Sequence, residues 1–293
     1  MGCFEVRNRK VKKDESKSLP EKKINLDDII KNILKYAQRF KVLNLIKYNK
    51  KLQSKLNTNI NEYKHLSEKY SSIEIELTPV KNKFGDFIKI SNEKDKSYYH
   101  IYFDNNKEEI NRYKLRETDN AKKIKIKIAH QITSFSGLFK YCHCIESINF
   151  IKFNRKNITD MSYMFDGCTS LKKISFTNFN TDNVTNMNWM FSKCSSLKEI
   201  NLSIFNTEKV TNMSGMFADC TSLKSIDLFY FNTINVEDIS YMFKGCTSLK
   251  ELNLSNFITT KVTNMDRMFL KCSKEFKESI KTRYLNIKGE AFL

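Results

Sequence analysis

The fold is decided by a stretch in the second half of the chain, Val210-Thr-Asn-Met-Ser-Gly-Met-Phe-Ala-Asp-Cys-Thr-Ser-Leu-Lys-Ser-Ile-Asp-Leu228. The same order of apolar and polar residues recurs every 26 residues over 132–272. One repeated position holds the cysteines Cys142, Cys168, Cys194, Cys220, Cys246 and Cys272. Another holds the phenylalanines Phe139, Phe165, Phe191, Phe217, Phe243 and Phe269. A fixed period of this kind indicates equal structural units that bury their apolar faces against one another.

Each unit combines two local patterns. Residues 171–176 end in apolar–polar alternation, which is typical of a short strand. Residues 185–194 place apolar side chains at i, i+3, i+4 and i+7, which predicts a two-turn helix. Equal units pair strand with strand, so the sequence predicts an α/β solenoid. It would be a right-handed, leucine-rich-repeat-like stack of strand–turn–short-helix units, with a sheet on one face.

The rest of the chain divides around this array. We expect a basic, disordered segment over 1–23, a small helical module over 24–72, a β-rich N-terminal cap over 73–131, a solenoid of about five to six units over 132–275 and a C-terminal cap over 276–293. Cap strands are predicted at 87–90, 97–103 and 124–128. The residues expected to cover the last unit are Phe276, Ile280, Tyr284 and Leu285.

Composition and charge exclude several classes of protein. The 293 residues are 40% hydrophobic, which is too apolar for a wholly disordered chain. With no long apolar run and no apolar leader, we expect a cytoplasmic protein. The net charge of +18 is uneven: residues 1–131 hold 31 basic and 18 acidic side chains, whereas 132–272 hold 15 and 12. Bulk attraction to a polyanion is therefore not expected of the repeats.

The repeat also carries a family resemblance. The stretch that begins Val210-Thr-Asn-Met-Ser-Gly-Met-Phe and continues through Cys220-Thr-Ser-Leu resembles the BspA-like leucine-rich repeats. It is most similar to the "VTNMS-MF-GCSSL" repeat of mycoplasmal lipoproteins and many protist proteins. The resemblance covers about 132–272. It implies a leucine-rich-repeat-type solenoid with a binding role and no catalytic residues.

A looser resemblance lies upstream. The stretch from Ile29-Ile-Lys-Asn-Ile-Leu-Lys-Tyr to Leu52, within 24–57, resembles an F-box, a small helical module that docks onto an adaptor of ubiquitin ligases. Leu52 stands where that family has Trp, and Leu19-Pro20 lies further upstream than in the family. A plain helical cap is the favoured interpretation. An F-box would imply a substrate receptor of a ubiquitin ligase.

The candidate binding surface is the exposed face of the predicted sheet, because alternate strand residues project away from the core. Its members are Lys173, Ser175, Thr177, Glu199, Asn201, Ser203, Ser225, Asp227, Phe229, Glu251, Asn253 and Ser255. This surface is polar and mildly acidic, with Phe229 as its one large aromatic residue. Phosphates would meet Glu199, Asp227 and Glu251 there, which favours a protein partner over nucleic acid. We expect a monomeric, non-enzymatic interaction scaffold.

Motifs for catalysis or cofactors are missing from the sequence. There is no phosphate-binding Gly-rich loop, no H-E-x-x-H and no G-x-S-x-G. The stretch Cys142-His143-Cys144, with His130 nearby, lacks the ligand spacing of a tetrahedral metal site. We therefore expect no catalytic residue, no metal and no cofactor. The aligned cysteines are expected to be buried free thiols, because a reducing compartment keeps them unpaired.

The N-terminus leaves one question open. Gly2 could be myristoylated and Cys3 palmitoylated, and a basic patch would strengthen such an anchor. That patch comprises Arg7, Arg9, Lys10, Lys12, Lys13 and Lys17. Val6, however, stands where the myristoylation motif has Ser or Thr. Peripheral membrane attachment and an unmodified terminus both stay open, and nucleic-acid binding by the basic first half is a further, less favoured alternative.

Overall fold

The structure, a computed structural model, describes Lys50 and residues 71–293 except His130 and Asn154. Residues 71–293 belong to one compact unit, Ile60–Leu293. The predicted lipidation sites Gly2 and Cys3 and the F-box-like stretch 24–57 lie outside the described residues, apart from Lys50. They stay predictions.

Strands dominate the described part of the chain. They are β1 (Ile73–Pro79), β2 (Gly85–Asp86), β3 (Tyr99–Phe103), β4 (Lys114–Leu115), β5 (Ile124–Ile128), β6 (Ile145–Lys152), β7 (Lys173–Ser175), β8 (Ser225–Asp227) and β9 (Glu251–Asn253). The described helices are α1 (Lys274–Arg283) and two 3₁₀ helices, Glu93–Tyr98 and Gly289–Phe292. The fold is therefore mixed and sheet-dominated, with few helices among these residues.

The largest sheet joins the N-terminal segment to the first repeat. Its strand order is β3-β5-β1-β6-β7, and β1 is antiparallel to both β5 and β6. Because β6 is the first strand of the repeats, β1 covers an edge that would otherwise stay unpaired. The predicted strands at 97–103 and 124–128 correspond to β3 and β5. Strand β1 is not among the strands that the sequence predicts. Phe87 and Ile88 are buried, but they lie outside the short strand β2.

Consecutive repeats bond to one another in parallel through one column of polar residues. Isolated parallel bridges link, in chain order, Ser134, Asp160, Asn186, Asn212, Asp238 and Asn264. After each bridge, alternate backbone N–H groups donate to the next repeat. In one unit these bonds run from Met187 to Asn212 (3.0 Å), Trp189 to Ser214 (2.8 Å) and Phe191 to Met216 (2.9 Å). This ladder joins residues about one repeat apart and sets the register of the array.

The segment that carries this ladder is a series of turns, so the predicted two-turn helix over 185–194 is wrong. A helix would use its N–H groups internally. Here every second N–H is given to the next repeat, and Trp189 and Lys193 adopt positive φ angles of 54° and 57°. Bonds such as Met190 N–H to Met187 O (3.3 Å) close the turns between them. The apolar spacing i, i+3, i+4, i+7 therefore places buried side chains in this turn ladder just as it does on one face of a helix.

Within the repeats, the core is built from apolar side chains that recur every 26 residues, and the strands β1, β3 and β5 add buried residues such as Ile75, Ile101 and Ile126 to the same cluster. The aligned phenylalanines from Phe139 to Phe269 stack ring on ring, with centroids 5.3–5.7 Å apart and planes within 7° of parallel. Each aligned cysteine from Cys168 to Cys272 donates its thiol to a phenylalanine carbonyl 29 residues earlier, as Cys220 Sγ does to Phe191 O at 3.0 Å. The core is therefore continuous from one unit to the next.

The C-terminal residues complete the last repeat. Arg267 N–H donates to Glu290 O (2.9 Å) and Phe269 N–H to Ala291 O (2.8 Å), so residues 290–291 provide the carbonyls that a further repeat would provide. Helix α1 begins after its N-cap Ser273, whose Oγ accepts from Phe276 N–H, and it buries Phe276 and Ile280. Leu285 is 90% exposed and does not cover the last unit, contrary to expectation.

Candidate functional site

The predicted sheet face is largely exposed. Of its twelve residues, only Ser175 and Asn253 are half-buried. Six of the twelve line one groove, namely Lys173, Glu199, Asn201, Ser203, Ser225 and Asp227. The others lie beside it along the same repeated strand positions. The structure therefore brings half of the predicted residues together in one concave site.

This groove lies where the sheet is interrupted. Strand β7 pairs with β6 and β8 pairs with β9, whereas residues 199–201 between them are in no strand. The resulting groove has a volume of about 540 Å³. We call it the sheet groove. Its lining residues are Lys172–Ile174, Glu199–Ser203, Ser225–Asp227 and Tyr230.

The floor of the sheet groove is apolar. Ile174 and Ile200 are half-buried and contribute to its lining. In the sequence they belong to an apolar position that recurs every 26 residues and so predicts core residues, namely Ile148, Ile174, Ile200, Ile226 and Leu252. The members of the same column on either side, Ile148 and Ile226, are buried. The interruption of the sheet is therefore what gives two core-type side chains a surface role.

One rim of the sheet groove is also apolar. Tyr230 lines the groove and is 62% exposed, and Phe229, which lies beside it outside the lining, is 43% exposed with its ring centroid 5.3 Å from that of Tyr230. Ile204, which precedes Tyr230 by one repeat, is 49% exposed. The expectation of a single large aromatic residue on this face is therefore wrong. The sequence did contain a signal for this. Asn178 and Asn256 hold the position of Ile204 and Tyr230 in other units, and turns normally have polar residues there, so the two apolar residues could have been recognised as exposed.

Several predicted binding residues also hold turns. Asp227 Oδ1 accepts from Phe229 N–H (2.9 Å) and from Asn253 Nδ2 (3.1 Å). In the units before and after, Asn201 Oδ1 accepts from Ser203 N–H and Asn253 Oδ1 from Ser255 N–H. These side chains close Asx turns at the ends of the strand positions. They position the apolar rim as well as contributing polar surface.

A row of exposed lysines borders the opposite side of the sheet face. Lys172, Lys198, Lys224 and Lys250 occupy one position in four successive repeats, and we call them the lysine row. The last three members are linked through the backbone, by Lys224 N–H to Lys198 O (3.1 Å) and Lys250 N–H to Lys224 O (2.9 Å). Lys172 Nζ lies 3.1 Å from Glu146, which holds the same position in the preceding unit. Among the residues that the structure describes, the other three have no carboxylate within 4 Å.

The cysteines form a buried column rather than a reactive site. The seven described cysteines, all except Cys3, are free and buried, which confirms the prediction of a buried column. Burial raises the pKa of Cys168 and Cys220 to about 12 and that of Cys272 to about 11. A thiol with so high a pKa is a poor nucleophile near neutral pH.

Residues 142–144 take ordinary structural contacts. Cys142 lies in the core column, His143 Nδ1 is 3.0 Å from Thr169 Oγ1, and Cys144 Sγ is 3.2 Å from Asp86 O. Within the described ranges, no group of three His, Cys, Asp or Glu side chains could hold a metal ion. Nor does any helix in this part of the chain have the length and apolarity needed to cross a bilayer.

An aromatic row follows the turn ladder. Tyr163 stacks on Trp189 at 6.5 Å, and Trp189 reaches across Gly215 to stack on Tyr241 at 6.3 Å. Arg267 Nη1 donates to the Tyr241 hydroxyl at 3.1 Å. The rings face one another along the row, so their faces are used in holding consecutive units together.

The stacked, mutually bonded 26-residue units define this chain as a repeat protein. It belongs to the family described as "Mycoplasma protein of unknown function, DUF285", whose sequence model matches residues 133–229 and 202–287, together more than half of the chain. The match does not include the F-box-like stretch 24–57. No curated protein and no solved structure matches the chain.

Proposed function

We propose that residues 132–275 form a leucine-rich-repeat-like solenoid that binds a protein partner through its sheet face, and that the protein is a non-enzymatic interaction scaffold. The observation that carries this proposal is the sheet groove, with its apolar floor and its exposed aromatic rim. Adjacent exposed apolar side chains around a concave surface are typical of protein-binding sites.

The rim supplies the kind of anchor that interfaces use. Phe229 and Tyr230 together offer a large apolar area, and Tyr adds a hydroxyl that can hydrogen-bond at the edge of an interface. The turn held by Asp227 fixes Phe229 before any partner arrives. Preorganisation of this kind lowers the entropic cost of association.

The carboxylates around the groove favour protein over nucleic acid. Glu199 and Asp227 line the groove together with Lys172 and Lys173, and Glu251 is exposed at the position one repeat after Ser225. A phosphate backbone laid on this face would meet these like charges, whereas a protein can offer basic side chains to them.

The test is affinity purification of the tagged full-length chain from its native host, followed by expression of the retained protein and measurement of its Kd. We expect Phe229→Ala with Tyr230→Ala to weaken binding by at least about tenfold, because aromatic anchors dominate interface energies. The matched control is Ile234→Ala with Ile258→Ala, two side chains of similar exposure outside the groove. Equal affinity of the groove variant and the wild type would refute the assignment of this face.

A further inference from the structure

The lysine row is a line of like charges with no apparent structural purpose. Its members stand on stacked units, about 4.8 Å apart where neighbouring strands pair. Like charges at such a spacing repel one another, more so at low salt. Lys198, Lys224 and Lys250 are all exposed and have no carboxylate within 4 Å among the described residues. Their charge is therefore available to an outside group.

The first place in the row shows how such a group binds. Glu146 stands where the later units have lysine, and its carboxylate lies 3.1 Å from Lys172 Nζ. The backbone bond from Lys172 N–H to Glu146 O (2.8 Å) holds the two units in register. The chain itself thus contains one carboxylate bound to the row. Within the part of the chain that the structure describes, the remaining three lysines repeat the cationic half of that contact without its anionic half.

The charges next to the row select the chemistry of the anion. Glu199 directly follows Lys198, and Glu251 directly follows Lys250, so two carboxylates stand beside the row, whereas Lys173 and Ser225 hold that place in the other two units. A continuous phosphate backbone would contact both the lysines and these carboxylates. Its repulsion from the carboxylates would offset its attraction to the lysines. An acidic polypeptide segment can place carboxylates on the row and basic or apolar side chains beyond it.

From this arrangement we infer that Lys198, Lys224 and Lys250 bind the carboxylates of an acidic segment in the protein partner, with Glu146 on Lys172 as the internal counterpart of that contact. The inference rests on the proposed function, because the row borders the sheet face, and it adds the charge of the partner. It also predicts the order of partner side chains across the face: acidic on the row, basic against Glu199 and Glu251, and apolar in the groove.

The experiment measures binding of a fluorescein-labelled octaglutamate peptide to the full-length chain by anisotropy, at about 150 mM salt to screen distant charges. The row variant is Lys198→Glu, Lys224→Glu and Lys250→Glu together. The control variant is Lys193→Glu, Lys271→Glu and Lys274→Glu, which changes the net charge equally at exposed lysines outside the row. We expect Kd to rise about tenfold or more in the row variant and less than about twofold in the control.

Two outcomes would overturn the inference. Equal weakening in both variants would mean that the peptide senses only net charge, much of which lies in the first half of the chain. A greater loss for an eight-nucleotide single strand than for octaglutamate would mark the row as a nucleic-acid contact. A Lys→Gln version of each triple variant serves as a second measurement. Thermal unfolding of all variants shows whether a loss of binding comes from the lost charge or from a loss of folding.

The inference and the proposed function can be refuted independently of each other. The natural partner distinguishes them, because the rim variant Phe229→Ala with Tyr230→Ala and the row variant can each be measured on it. If the natural partner needs the rim but not the lysines, the inference is wrong and the proposed function stands. If it needs neither, both are wrong.

Discussion

Asp227 Oδ1 lies 2.9 Å from the backbone nitrogen of Phe229 and accepts its hydrogen bond. The same oxygen accepts from Asn253 Nδ2 at 3.1 Å, so one carboxylate closes the turn after β8 and ties it to the next unit. The aromatic rim of the sheet groove is therefore held by a residue that the sequence marks only as a surface charge. Variants at Asp227 must therefore distinguish the loss of the turn from the loss of a contact with the partner.

The first prediction concerns this turn. Asp227→Ala should lower the free energy of unfolding by about 1 kcal/mol, because it removes the acceptor of two hydrogen bonds. Asp227→Asn keeps an Oδ1 acceptor and should cost less than half as much. Urea denaturation of both variants measures the difference. Equal losses would show that the charge, not the acceptor, stabilises the turn.

The second prediction concerns the contact of Trp189 with Gly215. A Cβ atom at Gly215 would lie 2.4 Å from the indole ring, and the backbone there has φ of 59°. Gly215→Ala should therefore destabilise the protein by about 1–3 kcal/mol. Gly289→Ala is the control, since a Cβ there meets nothing within 4 Å. Thermal unfolding should show a lowered Tm for the first variant only.

The contact itself is tested by a double variant. Adding Trp189→Ala to Gly215→Ala removes the overlap and leaves only the strain of positive φ. The double variant should then lose less stability than the sum of the two single variants. Simple additivity would mean that Trp189 does not limit the size of residue 215.

The third prediction concerns the cysteine column and pH. Burial raises the pKa of Cys168 and Cys220 to about 12, whereas an unfolded thiol ionises near about 8.5. Above that lower value the unfolded chain releases protons that the folded chain keeps, so stability falls as pH rises. The slope should approach about 1.4 kcal/mol per pH unit for each such thiol. Urea titrations between about pH 8 and 10 measure it, and a flat profile would contradict it.

Thiol reactivity provides an independent check on the same column. The seven buried thiols should resist a disulfide reagent at about pH 8 in the folded protein and react once denaturant is added. Cys220→Ala should reduce the pH slope of stability without changing the reactivity of the remaining thiols. Rapid labelling of the folded chain at the column would show that the core opens.

The fourth prediction concerns the C-terminal residues. Tyr284 donates its hydroxyl to Leu252 O (3.2 Å) and accepts from Leu254 N–H (3.1 Å). Tyr284→Phe should cost about 1–2 kcal/mol, because it leaves a half-buried N–H and C=O without this partner. Tyr230→Phe is the control at an exposed ring. Chemical denaturation compares the two, and equal stabilities would show that the hydroxyl is dispensable.

The core could be predicted because its signal is short-range and repeated. Residues such as Phe191 and Cys194 recur every 26 positions, and stacking equal units buries each column in turn. The turn ladder could not be distinguished from a helix on that basis. Met187, Met190 and Phe191 have the same spacing in both, and only the destination of the backbone N–H groups separates them.

The candidate site, too, was predictable from the sequence only in part. Alternation along the strands identified Glu199 and Asp227 as exposed residues, because strand side chains alternate between two faces. Ile174 and Ile200 were assigned to the core by their column, and nothing in their own sequence indicates that the strand pairing stops between β7 and β8. Pairing between strands depends on the spacing of whole units, which no single position encodes.

By itself, then, the sequence determined the period, most members of the core columns and the polar surface along the strands, since each follows from side-chain chemistry repeated at one interval. Only the tertiary structure decided that the second half of each unit is a turn ladder and that the sheet opens into a groove over residues 199–201. It also decided that three of the repeated lysines have no carboxylate within 4 Å among the described residues. These features depend on hydrogen bonds and ion pairs between residues 25 to 29 positions apart. Such contacts exist only once neighbouring units have packed together.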